Sequence, residues 1–77
     1  MKILKEYKYS IIVEYDKDAQ KFHKWFMRNF EGRYSADIGV YESQDGSIAP
    51  KGKKYMEVQI DGFYISPGDI FKAYMNL

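Results

Sequence analysis

From Lys5 to Tyr15 apolar and polar positions alternate: Tyr7, Tyr9, Ile11, Val13 and Tyr15 have one parity, Glu6, Lys8, Ser10, Ile12 and Glu14 the other. A period of two is that of a half-buried strand, whose side chains point alternately to its two faces. One strand is therefore expected over Lys5–Tyr15, with Ile12 as the apolar exception on its outer face. At Asp16 the period changes. Placed at ~100° per residue, Ala19, Phe22, Trp25, Phe26 and Phe30 share one arc, and Lys17, Lys21, Lys24 and Arg28 fall opposite them. This is an amphipathic helix with an aromatic stripe turned inward and a row of cations turned outward. Asp16 or Asp18 suits its N-cap, because a carboxylate there accepts from otherwise unpaired N–H groups and meets the positive end of the helix dipole. Gly32 suits its end, since glycine takes a positive φ without a side-chain clash.

Alternation returns from Arg33 to Glu42, with Tyr34, Ala36, Ile38 and Val40 inward and Ser35, Asp37, Gly39 and Tyr41 outward. No period survives in Ser43–Lys53, where turn formers are dense, so a long loop is expected there. Lys54–Ile60 reads as a third strand with Met56, Val58 and Ile60 inward and Tyr55, Glu57 and Gln59 outward. Asp61-Gly62 then has the form of a two-residue hairpin turn. It would pair Ile60 with Phe63 and Val58 with Ile65, leaving Gln59 and Tyr64 on the other face. Ser66-Pro67-Gly68-Asp69 resembles a capping box with proline at the first helical position. A short helix follows, with Ile70, Phe71, Tyr74 and Leu77 as its buried stripe and Met75 alongside. The predicted order is β-α-β-β-β-α over residues 1–77 as a single α+β domain: a mostly antiparallel sheet with two helices on one face.

Composition sharpens this picture in three places. Aromatics make up 18% of the 77 residues and leucines number two, so large rings are expected to replace aliphatic side chains as core material. The net charge of +1 excludes the strong global field of a highly basic nucleic-acid binder and leaves local patches to decide. With no cysteine there is no disulfide framework or thiolate metal site. No apolar run approaches the length of a signal sequence or of the about 18 residues a membrane span needs. A cytoplasmic protein without membrane contact is expected. Ten lysines against two arginines suggest an AT-rich genome of the kind common in bacteriophages and Firmicutes.

The inventory for catalysis is thin. His23 is the only histidine and lies between the apolar and polar arcs of the helix, where a half-buried packing role is expected. Asp16 and Asp18 form a D-x-D without the further ligands of a calcium loop, so capping explains them and no metal is expected. Gly46–Lys54, G-S-I-A-P-K-G-K-K, fails as a phosphate loop. Its glycine spacing is one residue too long, Lys54 stands where a serine or threonine would meet magnesium, and a strand follows instead of a helix. No cofactor is expected. The predicted α-β-β-β-α portion has the element order of double-stranded RNA-binding domains, but Ser66 to Asp69 replace the lysine-rich start of their last helix, so no activity is transferred.

Two kinds of surface remain. Ile12, Tyr41, Tyr55 and Tyr64 are expected on the outer sheet face among Glu14, Asp37, Glu57 and Gln59, with Ile48 in the long loop as a further apolar contact. Tyrosines in such a setting favour a protein partner. Lys17, Lys21, Lys24 and Arg28, with Lys51, Lys53 and Lys54 of the loop, would instead suit nucleic acid or an acidic partner. The leading expectation is a non-enzymatic protein-binding module, suited to a phage-encoded inhibitor of a host enzyme or defence complex, with nucleic-acid binding as the alternative. A homodimer is compatible with both.

Overall fold

In the computed structural model, which describes residues 2–62 and 64–76, the alternating N-terminal segment is two strands and not one. β1 (Ile3–Glu6) and β2 (Ser10–Glu14) pair antiparallel, with Ile3 opposite Val13, Lys5 opposite Ile12 and Glu6 opposite Ile11. The chain reverses at Lys8-Tyr9, where the Tyr7 N–H donates to the Ser10 carbonyl at 2.7 Å. Alternation persists through such a reversal because each arm keeps its own period of two. Neither Lys8 nor Tyr9 is a residue type that announces a turn. Tyr7 and Tyr9, expected inward, stand about half exposed at the hairpin tip.

α1 (Lys17–Phe30) begins at its Asp16 cap, whose side chain accepts from the Ala19 N–H at 2.9 Å. Gly32, just past its end, has φ +75°. The next strand, β3 (Asp37–Glu42), starts four residues later than the expected Arg33, because Tyr34 and Ser35 adopt φ of 55° and 50°. Left-handed backbone cannot continue a pleat.

β4 (Lys54–Gln59) fills the centre of an antiparallel sheet ordered β1-β2-β4-β3. Val58 faces Ile11 of β2 on one side and Ile38 of β3 on the other, and Met56 faces Val13 and Val40. With both edges of β4 occupied, the predicted hairpin beyond Asp61-Gly62 has no edge to pair with, and Val58 does not meet Ile65. The Ile60 N–H instead extends the ladder to Tyr9, and the Asp61 N–H bonds Tyr34. The chain then leaves the sheet. The pairing predicted for Phe63, like the Leu77 contact, lies outside the described residues.

α2 (Pro67–Met75) has the expected cap: Ser66 accepts from the Asp69 N–H at 3.2 Å, with proline in the first turn.

The observed order is thus β-β-α-β-β-α. Among the described residues two strands follow α1, β3 and β4, where three were predicted. β2 and β3 each run antiparallel to β4 and hence parallel to one another, so α1 carries the chain across the inserted central strand. Its aromatic stripe therefore lies over the middle of the sheet. Ile11, Val13, Met56, Val58 and Ile60 meet Ala19, Phe22 and Phe26 of α1 and Ile70 and Phe71 of α2 in one core. Phe22 is the hub, with ring centroids 4.9 Å from Phe71, 5.3 Å from Tyr74 and 5.6 Å from Phe26. Both helices cover one face of the sheet, as α+β packing requires.

Candidate binding surfaces

Residues directly opposed in an antiparallel pair share a face. The outer sheet face therefore carries Tyr41 opposite Tyr55, Ile12 between Lys5 and Glu57, and Gln59 between Ser10 and Asp37. The Tyr41 and Tyr55 rings lie 5.7 Å apart. Tyr41 leans over Gly39 so closely that a Cβ there would sit 2.6 Å from its hydroxyl oxygen. Two expectations for this face are corrected. Ile12 is only 5% exposed, flanked by the long side chains of two neighbouring strands, and offers no contact surface. Tyr64 is fully exposed, but off the sheet. It borders a recess with Lys8, Tyr9, Ile65 and Asp69, because its segment runs past the β1–β2 turn to α2. The tyrosine surface is thereby reduced to the Tyr41–Tyr55 pair.

The loop 43–53 is built around Ser43, which is buried. Its hydroxyl donates to the Ala49 carbonyl at 2.6 Å and accepts from the Gly46 N–H at 3.3 Å. Its own N–H and carbonyl engage Lys53 and Gly52 at 2.8 and 2.9 Å. Ala49 and Pro50 border a recess of about 270 Å³ with Leu4, Glu14, Tyr15, Lys53 and Lys54. Ile48 is half-buried. At the loop tip Asp45 accepts from the Ser47 N–H at 2.9 Å and its hydroxyl at 2.7 Å, which holds the carboxyl below its ordinary value of 3.8.

The basic residues fare differently. Lys17, Lys21, Lys24 and Arg28 are all exposed along α1, and none forms an ion pair with another described residue. The Tyr15 N–H donates to the Lys54 carbonyl at 3.3 Å. That bond brings the exposed loop cations Lys51, Lys53 and Lys54 to the end of the molecule where α1 begins. Of these, Lys54 shares the helix side of the sheet by the parity that points Met56 and Val58 inward. His23 is half-buried, its ring 6.5 Å edge-on from Tyr15.

A further feature has almost no signature in the sequence. Trp25 and Phe30 of α1, Ile70, Ala73 and Tyr74 of α2 and the half-exposed Ile65 line an open, almost wholly apolar cleft of about 300 Å³, with Asp69 at its rim. Trp25 and Tyr74 meet in it across the two helices, their rings 4.9 Å apart. Its one signal along the chain is the place of Trp25 at the edge of the apolar arc. Lys21 lies four residues before it and Arg28 three after, spacings that make neighbours on a helix surface.

Fold and surface define a small α+β domain with a helix-covered antiparallel sheet and an apolar cleft beside a row of cations. Comparison with protein-family models, curated proteins and solved structures yields no match. Among the described residues no helix is long and apolar enough to cross a membrane, and no three acidic or histidine side chains converge as a metal site would require.

Proposed function

We propose that this chain is a small non-enzymatic binding module that acts by covering a surface on another protein. The observation that carries this reading is the adjacency, on the helix side, of an apolar cleft lined by Trp25 and Tyr74 and the exposed cations of α1. Protein interfaces are organised in this way, with aromatic anchors at the centre and charged groups at the rim. An inhibitor of a host enzyme or defence system, encoded by a phage, is a role such a module suits. The test is affinity capture from the native host, comparing the unmodified chain with a Lys21→Glu/Arg28→Glu variant and with Tyr41→Ala. One protein should be retained by the unmodified chain and by Tyr41→Ala, and lost with the charge reversal. Retention of no protein in any of the three removes the reading.

Nucleic-acid binding is the second reading, favoured by the Tyr15–Lys54 bond that joins the loop cations to the start of α1. It requires affinity for a short duplex that falls with salt at a log–log slope of about −0.9 per phosphate neutralised. A flat salt response excludes it.

A further inference from the structure

We infer that the α1–α2 cleft receives an acidic amphipathic segment of the partner protein, with one large apolar side chain seated on Trp25 and Tyr74 and carboxylates aligned on Lys21 and Arg28. The inference rests on the binding-module reading and names the ligand of that surface. The walls are apolar, and Trp25 and Tyr74 are half-buried while Ala73 is exposed, so apolar contact area stays open to water. A volume of about 300 Å³ lies at the lower limit of ligand-sized pockets, enough for a side-chain anchor and too small for an extended ligand. Charge supplies the rest.

Lys21 and Arg28 stand one helical turn to either side of Trp25, with Lys17 and Lys24 behind them. Against these four cations α1 itself carries a single acid, Asp18, seven residues before Trp25, with Glu31 at its C-cap. The opposite lip has Asp69, which is exposed at the start of α2. A bound acidic segment is therefore attracted at the α1 lip and repelled at the α2 lip. This sets its orientation: apolar residue down, carboxylates toward α1. A helix laid into a groove by its apolar face is a common form of peptide recognition.

Trp25 is the only tryptophan, so its fluorescence reports the occupancy of the cleft directly. The probe is a synthetic helical peptide with leucine and phenylalanine on one face, glutamate on the other and no tryptophan. Saturable change in Trp25 emission is expected, with binding about tenfold weaker when lysine replaces the glutamates, as two surface ion pairs made or reversed would give. Lys21→Glu/Arg28→Glu should invert that preference. Ala73→Glu, which sets a carboxylate in the exposed wall of the cleft, should abolish binding of the acidic peptide while circular dichroism stays unchanged. No saturable change at millimolar peptide, equal affinity for both peptides, or tighter binding of a short DNA duplex with the same Trp25 response would each overturn the inference. Should Ala73→Glu still capture the protein partner from lysate, the cleft is excluded and the binding-module reading stands.

Discussion

Ser43 shows how much one small residue can organise. All of its hydrogen-bonding groups are engaged within the loop, and its hydroxyl both donates to Ala49 and accepts from Gly46. Ser43→Ala removes that hydroxyl and leaves the Ala49 carbonyl with no replacement donor in a buried place. The expected loss is about 1–3 kcal/mol in urea unfolding, the cost of a stranded buried polar group. A loss within experimental error would mean that water reaches the site. Asp45 makes a smaller, surface-level contribution of definite sign. Its carboxyl is held low in the folded chain by Ser47, so its contribution is present above the unfolded value and is lost as pH falls through the lowered folded one. NMR titration should place its midpoint below the ordinary 3.8, and Ser47→Ala should move it part of the way back, since the backbone donor remains. Ser43 is legible as a turn former in the sequence. That it is a buried hub depends on Ala49 returning to it across the loop.

Among the elements, the helices are the more legible. The aromatic arc of α1, a cap at Asp16 or Asp18, the glycine beyond its end and the Ser66 cap of α2 are all expected from the chain and all occur, with Asp16 as the cap. Capping and amphipathic spacing are local, and residues within one turn of each other suffice to specify them. Asp16→Ala should accordingly cost about 1 kcal/mol, read from the thermal transition, with Asp16→Asn retaining most of it. The strands are legible in the inward residues of their middles, Ile11, Val13, Met56 and Val58, and not at their ends, where Tyr7, Tyr9 and Tyr34 are exposed, nor in their partners. Lys5–Tyr15 alternates with Ile12 as its one exception, yet folds back at Lys8-Tyr9, and among the described residues Asp61-Gly62 has turn chemistry without a hairpin. Which strand pairs with which depends on what else competes for an edge. β2 and β3 together occupy both edges of β4.

For the whole molecule, the two faces differ in what they leave exposed. The outer sheet face has Ile12 covered by its cross-strand neighbours and loses Tyr64 to the hairpin side, whereas the helix side keeps every cation of the α1 row and adds the cleft. Because no member of that row is ion-paired to another described residue, Lys21→Glu/Arg28→Glu should lower stability by no more than about 1 kcal/mol, the larger share from Arg28 in the last turn of α1. Guanidinium unfolding checks this, and a loss above about 1 kcal/mol would show that the row stabilises the fold. Period and chemistry along the chain suffice to specify which residues are apolar, where each helix starts, where α1 stops, and that cations line the outer arc of α1, since all of these follow from neighbours a few positions away. The hairpin at Lys8-Tyr9, the central place of β4, the burial of Ile12 and the cleft between Trp25 and Tyr74 are settled only by the tertiary packing. Each of these depends on contacts between segments far apart in sequence, and local periodicity carries no information about which distant segment arrives.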